Sequence, residues 1–261
     1  MKEKDFSTIT ELPFTKVTKD QLERAHQRYI FASDYVNNGN VLEIGCGGGQ
    51  GLGILAESSK SVTGCDINKS NINTCNSTYK DDDKIKFEKL DAEKLDYDDN
   101  SFELIVLFET IYYLNNVELF MENIFRMLKK GGYLIISTAN KDWPEFNPSP
   151  YSTKYFSVPE LYDLTKSIGF EVEMYASFSD HKNSIKAKII SLIKRTAVRL
   201  NLMPKTMRGK ILFKHIFMGS LVEYPSVLEK NMFDYQPPNT ISVKKNDNIH
   251  TAIFAVCTRN S

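Results

Sequence analysis

The residues best placed for chemistry lie where an apolar run breaks into closely spaced glycines. Glu43 is followed by Gly45, Gly47 and Gly49, and in such a turn no side chain separates the backbone from a ligand. A second apolar run, ending twenty-one residues after Gly45, stops at Asp66. A carboxylate at this point of a nucleotide-binding unit accepts hydrogen bonds from the two hydroxyls of a ribose. The spacing therefore predicts a site for a ligand that contains a nucleoside.

A dinucleotide does not fit this turn. Its glycine fingerprint is Gly-x-Gly-x-x-Gly, and the residue at the sixth position counted from Gly45 is Gln50. A second interpretation is that the glycines serve only a tight turn, but this accounts poorly for four of them between 45 and 49.

The pattern acid-x-Gly-x-Gly-x-Gly, formed by Glu43, Gly45, Gly47 and Gly49, resembles the cofactor loop of the class I S-adenosylmethionine-dependent methyltransferases. The order of predicted elements also resembles that family from about 36 to 178 and again in the last strand, which is about two thirds of the chain. The resemblance implies an enzyme whose cofactor is S-adenosylmethionine and which transfers a methyl group to an acceptor.

The resemblance also assigns contacts to single residues. Asp66 would hold the ribose, Ile67 would cover one face of the adenine, and Asp91 with Ala92 would lie against the adenine amine. Tyr29 would pack over the methionine end, although an aromatic residue at helical spacing is as often part of a core. Asp91 as a solvated loop residue stays an alternative. The complete predicted cofactor set is Tyr29, Glu43, Gly45, Cys46, Gly47, Gly49, Asp66, Ile67, Asp91, Ala92 and Phe108.

A general base is harder to assign, because Tyr112-Tyr113 stands where many members of the family carry Glu-His. Methyl transfer is a displacement on an already activated cation, so alignment and desolvation supply much of the acceleration. An alcohol acceptor must still lose a proton. Glu109, at the carboxyl end of the central strand 102–108, is the predicted base, with Tyr113 as the second catalytic candidate. We predict no metal, since no cluster of Cys and His ligands is visible.

The acceptor is predicted to be a small molecule. The Asn/Asp-Pro-Pro-aromatic run typical of enzymes that methylate nucleic-acid bases is absent after 102–108. Lys and Arg (33) balance Asp and Glu (33), which also argues against a nucleic-acid partner. The aromatic and proline-rich stretch 140–156 suits either stacking on a flat or sugar ring or a lid packed on itself. Segments 28–32 and 147–157 resemble members associated with glycan synthesis, which implies a sugar acceptor, free or linked to a nucleotide or lipid.

Strands and helices alternate along the chain, which predicts a doubly wound α/β fold. We expect a Rossmann-like methyltransferase fold with seven strands, mostly parallel and with an antiparallel last strand. The strands are predicted at 41–45, 61–65, 84–88, 102–108, 132–138, 170–178 and 249–257. The predicted helices are 20–36 capped by Asp20, one after Asn116 that stops at the Lys-Lys-Gly-Gly run 129–132, and one opening at the Ser157 capping box.

Three parts follow from this order. They are an N-terminal helical segment (1–36), the cofactor-binding domain (37–178 and 248–261) and a basic helical insertion or cap (179–247). Between 182 and 214 the insertion has ten Lys and Arg residues and no Asp or Glu. Such a segment can lie on an anionic membrane surface, face a phosphate-bearing substrate, or form a solvated cap. The first option would suit a lipid or quinone methyltransferase.

The remaining expectations concern the environment of the protein. Four cysteines without a CxxC pair indicate a reducing compartment, and we found neither a signal segment nor an apolar run long enough to cross a membrane. We therefore expect a cytoplasmic protein, in contact with the inner membrane surface if the basic segment binds lipid. A cofactor-binding protein without catalysis is the alternative from another functional class.

Overall fold

The computed structural model describes residues 10–179, 196 and 221–260. The described residues form ten strands and five α-helices. The strands are β1 Lys16–Thr18, β2 Asn40–Ile44, β3 Ser61–Asp66, β4 Ile85–Lys89, β5 Phe102–Phe108, β6 Leu128–Ala139, β7 Glu171–Ser179, β8 Leu221–Glu223, β9 Asn239–Thr240 and β10 His250–Thr258. The helices are α1 Lys19–Ser33, α2 Leu52–Ala56, α3 Lys69–Thr78, α4 Val117–Met127 and α5 Val158–Ser167.

Eight strands form one sheet in the order β4-β3-β2-β5-β6-β10-β7-β9. The pairs from β4 to β6 are parallel, and β10 lies antiparallel between β6 and β7. The predicted mostly parallel sheet with an antiparallel last strand is confirmed. The short β9 adds an eighth, antiparallel strand next to β7. Strand order reverses between β2 and β5, and in such sheets a ligand binds at the carboxyl ends of the strands at this point.

The sheet is buried on both faces. Alternate residues of β5 enter two different hydrophobic clusters, with Ile105 and Leu107 on one face and Leu104 and Val106 on the other. This is why the strand is a continuous apolar run and not an alternating one. The rigid sheet holds the glycine turn after β2 beside the end of β5.

Three predicted helix ends differ from the structure. The first helix was predicted over 20–36, but α1 ends at Ser33. Helix α1 is capped by Thr18, whose side chain accepts a hydrogen bond from Gln21 N, and not by Asp20. Helix α4 begins after Asn116 as predicted but ends at Met127. Leu128 pairs with Phe102 across β6 and β5, so the 129–132 run belongs to a strand. Strand pairing therefore overrides the local stop signal. The Ser157 capping box is confirmed.

The predicted insertion is described only in part. Its residues 221–247 contain two short strands and no helix, and β8 pairs antiparallel with β1. This pairing joins residues 16–18 to residues 221–223 of the insertion. Except for Thr196, the basic segment 182–214 lies outside the described residues, so its predicted helix and its partner stay predictions. No helix among those described has the length and apolar character needed to cross a bilayer.

Candidate functional site

A cavity of about 870 Å³ opens at the carboxyl ends of β2, β3 and β5, as the strand order requires. It lies near the upper end of the range of about 300–1,000 Å³ that is usual for ligand pockets. All but one of the predicted site residues line it. They are Tyr29, Glu43, Gly45, Cys46, Gly47, Asp66, Ile67, Asp91, Ala92, Phe108, Glu109 and Tyr113.

Gly49 is the exception, because it does not line the cavity. Its φ is +73°, and a Cβ there would lie 2.9 Å from Cys75 Sγ. The hydroxyl of Tyr79 donates a 2.8 Å hydrogen bond to the Gly49 carbonyl. Gly49 thus lets the back of the turn pack closely on α3, and it shapes the turn from behind.

The front of the turn is held by the neighbouring strand. Gly45 N and Cys46 N both donate to the Cys65 carbonyl, at 2.8 and 3.0 Å. Gly45 and Gly47 have φ of +75° and +56°, a region that glycine adopts without strain. A Cβ on Gly45 would overlap the side chain of Thr110. The turn therefore needs glycine both for its backbone conformation and for its close packing at the end of β5.

Asp66 joins the second strand to the glycine turn. Its Oδ2 accepts a 3.0 Å hydrogen bond from Gly47 N, and its Oδ1 accepts from Asn68 N at 2.8 Å and Asn71 Nδ2 at 3.2 Å. Burial raises the pKa of Asp66, and these hydrogen bonds oppose the increase. The carboxyl group lines the cavity while it orients the turn. The ribose contact assigned to Asp66 stays a prediction.

Glu43 and Tyr29 form a buried pair at the cavity wall. The Tyr29 hydroxyl donates a 2.7 Å hydrogen bond to Glu43 Oε1. Glu43 Oε2 is buried and has no hydrogen-bond partner among the described residues. Burial raises the pKa of Glu43 to about 8, so the side chain is mainly protonated at neutral pH. Tyr29 packs edge-on against Phe108, so it is both a core residue and a lining residue.

Asp91 combines the two predicted alternatives. It accepts a hydrogen bond from Glu93 N at 3.0 Å and so caps the short 3₁₀ turn Ala92–Lys94. It lies 3.7 Å from Lys94 Nζ at the surface, and it also lines the cavity. The residue is therefore a loop residue with access to a ligand.

Glu109 is held by an arginine that we did not assign from the sequence. Arg28 Nη2 donates to Glu109 Oε1 at 2.9 Å, and the Tyr112 hydroxyl donates to Oε2 at 3.1 Å. Glu109 has a φ of +50°, which is uncommon for a residue with a side chain and concentrates at functional sites. Tyr113, the second catalytic candidate, donates to Ser149 Oγ at 3.1 Å.

The aromatic stretch 140–156 packs on itself and on the catalytic segment. Tyr155 stacks on Tyr112 with ring centroids 4.2 Å apart, and Phe146 lies edge-on to Tyr155 at 4.7 Å. No residue of 140–156 lines the cavity, whereas Tyr112 does. Of the two alternatives for this stretch, the structure supports the self-packed one, which holds Tyr112 in place behind Glu109.

Several lining residues were missed from the sequence. Arg24 and Arg28 lie four residues apart on α1, and Tyr224 comes from the predicted insertion. The spacing of the two arginines was a usable signal, because residues four apart share a helix face. Nothing in the sequence marks Tyr224, since only the pairing of β8 with β1 brings it to the site.

The residues present fit S-adenosylmethionine. Backbone of the glycine turn approaches the cavity without side chains, Asp66 offers a carboxylate, and Glu43 has a buried oxygen without a partner in the described structure. Among the described residues, no group of three or more His, Cys, Asp or Glu side chains is arranged to hold a metal ion. Independence from metals stays a prediction.

Comparison with known proteins identifies a matching family and similar sequences. Residues 42–136 match a family described as "Methyltransferase domain". The chain contains a class I S-adenosylmethionine-dependent methyltransferase domain, and the cofactor of this domain is S-adenosylmethionine.

Two curated relatives and one solved structure illustrate the similarity. A "Probable S-adenosylmethionine-dependent methyltransferase" of Mycolicibacterium smegmatis is 29% identical over 140 residues, covering 51% of this chain and 52% of the relative. A ubiquinone biosynthesis O-methyltransferase of Rickettsia typhi is 29% identical over 150 residues, covering 51% and 60%. The similarity thus spans little more than half the length of these relatives. The YcgJ protein of Bacillus subtilis superposes with a TM-score of 0.57 at 13% identity, over 92% of this chain and 100% of that one. That structure shows the shared fold alone.

Proposed function

We propose that this protein is an S-adenosylmethionine-dependent methyltransferase that methylates a hydroxyl group of a small, ring-containing acceptor. One observation carries the proposal. The cavity that begins at the glycine turn and Asp66 continues without interruption to Glu109 and Tyr113 at the end of β5. A cofactor at the turn and an acceptor at Glu109 would therefore share one continuous cavity.

The chain supplies positioning and a proton acceptor. When bound, the cofactor supplies a methyl group that is already activated by the positive sulfur. Asp66 and the turn would fix the nucleoside, and the sheet would hold the acceptor in line. Glu109 has a carboxylate at the cavity wall, 27% exposed, which can take the proton that a hydroxyl must lose. This arrangement favours an oxygen acceptor over one that needs no base.

The acceptor ring is proposed to be that of a quinone precursor or that of a sugar. The name of the Rickettsia relative favours a quinone precursor, and Phe108, Tyr113 and Tyr224 give the cavity aromatic side chains. A sugar is the second candidate and is supported by the segments 28–32 and 147–157. The stretch 140–156 supports neither ring, because it does not line the cavity.

The test is a turnover assay that measures S-adenosylhomocysteine with a defined acceptor panel. One half of the panel contains catechols and dihydroxybenzoates, and the other half contains nucleotide sugars. We expect turnover with one half and a methyl ether in the product by mass spectrometry. Glu109→Gln should lower kcat by about 100-fold or more, since general base catalysis contributes about that factor.

The matched control is Glu118→Gln on α4, which makes the same change outside the cavity and should leave kcat unaffected. If S-adenosylhomocysteine binds but neither half of the panel is methylated, the alternative of a cofactor-binding protein without catalysis gains support. If neither S-adenosylmethionine nor S-adenosylhomocysteine binds, the proposed function is wrong.

A further inference from the structure

The ion pair between Arg28 and Glu109 lies at the wall of the cavity. It leaves one nitrogen of the Arg28 guanidinium without a hydrogen bond in the described part of the chain. Arg28 Nη2 donates to Glu109 Oε1, whereas Arg28 Nε is buried and has no hydrogen-bond partner among the described residues. A buried donor without a partner is unfavourable, and a guanidinium forms its strongest contacts through two parallel hydrogen bonds to an oxyanion. Arg28 is thus arranged to accept an anionic group in addition to Glu109 or in its place.

Charge along α1 supports the same conclusion. Arg24, one helical turn before Arg28, also lines the cavity, and its guanidinium lies 5.5 Å from the centroid of the Phe178 ring. Two cations therefore face the cavity from one helix. Glu43 is mainly uncharged at neutral pH because its pKa is raised to about 8. The other carboxyl groups at the wall are those of Glu11, Asp66, Asp91, Glu93 and Glu109, and of these Glu109 is the one bonded to Arg28.

Glu109 is the other half of this ion pair. Both of its carboxylate oxygens already accept a hydrogen bond, Oε1 from Arg28 and Oε2 from Tyr112, so a proton from an acceptor has to compete with these donors. Its backbone has a φ of +50°, and its N–H donates to the Ser137 carbonyl at 2.8 Å, so the backbone of Glu109 is fixed independently of Arg28. The Tyr112 hydroxyl would still donate to Oε2.

We propose that Arg28 is a ligand-operated positioning residue. A carboxylate or phosphate group entering the cavity takes over the Arg28 guanidinium, and Glu109, released from its cation, becomes the proton acceptor for the reaction. This inference rests on the proposed function. In the transfer, the proton of the acceptor hydroxyl passes to Glu109 as the new oxygen–carbon bond forms and the sulfur–carbon bond breaks. The bond electrons stay on the sulfur, which becomes a neutral thioether.

Two sources can supply the anion, namely the amino-acid tail of the cofactor and an acidic group on the acceptor. Calorimetry with matched probes distinguishes them. S-adenosylhomocysteine carries the carboxylate, whereas 5′-methylthioadenosine has the same nucleoside and sulfur without the tail. For the acceptor, 3,4-dihydroxybenzoate or inorganic phosphate is added to protein saturated with S-adenosylhomocysteine.

The readout is proton uptake on binding, measured in buffers of different ionisation enthalpy between about pH 5 and 6, just above the ordinary range for a glutamic acid. The groups facing Glu109 are Arg28 and Arg24 on α1 and the hydroxyls of Tyr112, Tyr113 and Tyr155. The arginines and tyrosines do not titrate in this range. Any uptake that disappears in Glu109→Gln therefore belongs to Glu109.

We expect a ligand with the effective anion to bind with uptake of a fraction of a proton. Arg28→Gln should abolish the uptake and weaken that ligand by at least about tenfold, the effect of losing hydrogen bonds to a charged group. Glu109→Gln should tighten the same ligand about two- to fivefold, because a competitor for Arg28 has been removed. A purely structural pair would weaken binding in both variants. Arg126→Gln, which breaks the 2.6 Å ion pair with Asp99 outside the cavity, is the control and should change neither quantity.

The outcomes distinguish the two sources of the anion. They also distinguish failure of the proposal for Arg28 from failure of the proposed function. Uptake with S-adenosylhomocysteine but not with 5′-methylthioadenosine assigns the anion to the cofactor tail. Uptake only when dihydroxybenzoate or phosphate is added assigns it to the acceptor. If none of these probes causes uptake that depends on Glu109, or if Arg28→Gln behaves like the wild type, the proposal is overturned. Failure of S-adenosylhomocysteine to bind at all would overturn the proposed function as well.

Discussion

Glu43, the penultimate residue of β2, and Asp66, the last residue of β3, lie on neighbouring parallel strands, and the charge of Asp66 contributes to the raised pKa of Glu43. Burial is the larger cause, and it leaves Glu43 with a pKa of about 8 while Tyr29 donates to one of its oxygens. A protonated Glu43 avoids a second negative charge beside Asp66. The two carboxyl groups beside the glycine turn thus differ, because only Glu43 has its pKa raised as far as about 8.

This pair makes stability depend on pH in a defined direction. The pKa of Glu43 is raised on folding from 4.5 to about 8. Its contribution to stability is therefore fully present below about pH 4.5 and lost as pH rises to about 8, because the unfolded chain ionises first. Glu43→Gln removes this dependence. We expect the difference in unfolding free energy between wild type and variant to change by up to about 4 kcal/mol between pH 4.5 and 8.

Urea unfolding of both proteins at several pH values measures this difference, and other titrating groups cancel in it. A parallel set of curves for wild type and Glu43→Gln would show that Glu43 is ionised in the native state. Asp66→Asn should shift the inflection of the wild-type curve to lower pH, since one cause of the raised pKa is removed.

Asp66→Ala should weaken S-adenosylhomocysteine by roughly 2–4 kcal/mol, because charge-assisted hydrogen bonds to the ribose are lost. The change also leaves Gly47 N without its acceptor, so the turn is loosened in the same variant. Asp66→Asn keeps one oxygen and should lose less. Calorimetric titration measures both affinities. An unchanged dissociation constant in Asp66→Ala would place the ribose contact elsewhere.

Gly49→Ala and Gly131→Ala form a matched pair, because both glycines have a φ near +74°. Nothing lies within 4 Å of a Cβ at Gly131, whereas a Cβ at Gly49 would lie 2.9 Å from Cys75 Sγ. Gly131→Ala should lower the unfolding free energy by about 1–2 kcal/mol, the strain of the left-handed conformation alone. Gly49→Ala should lower it further and weaken the cofactor. Equal losses would show that packing behind the turn is loose.

The cysteines should be unreactive in the native protein. All four are buried, and burial raises the pKa of Cys65 and of Cys257 to about 12, so both thiols stay protonated at pH 8. Cys46 lines the cavity and also has a raised pKa. We expect slow labelling by a thiol reagent, with Cys46 further protected by S-adenosylhomocysteine. Peptide mass spectrometry identifies each site, and rapid labelling of Cys257 would contradict the prediction.

The basic segment 182–214 gives a prediction from sequence alone. Its ten cations and no anions should attract an anionic lipid or a phosphate-bearing acceptor, and added salt should weaken the attraction. Reversing Lys194 and Arg195 to Glu should then weaken vesicle flotation or raise the KM of the acceptor, while cofactor affinity is unchanged. If neither assay responds, the segment is a solvated cap.

Local patterns in the sequence were sufficient to predict the central strand, the positions of Asp66 and the glycines at strand ends, and one helix cap. The continuous apolar run Phe102–Phe108 predicted the central strand, because a strand covered on both faces has no polar positions. Asp66 and the glycines were found because their place at strand ends follows from the order of elements along the chain. The Ser157 capping box was visible for the same reason, since its partner Glu160 is three residues away.

Contacts between distant residues were decided only by tertiary structure. Arg28 and Glu109 are 81 residues apart, and no local sequence pattern predicts the ion pair between them. Tyr224 reaches the cavity through the pairing of β8 with β1, and Leu128 leaves its helix because Phe102 pairs with it. Gly49 belongs to the glycine pattern, but it packs against Cys75 and does not line the cavity. Sequence thus determined which groups could meet a cofactor, because strand ends converge in this fold. The folded chain determined which charges they meet, because side-chain pairing depends on packing between elements far apart in sequence.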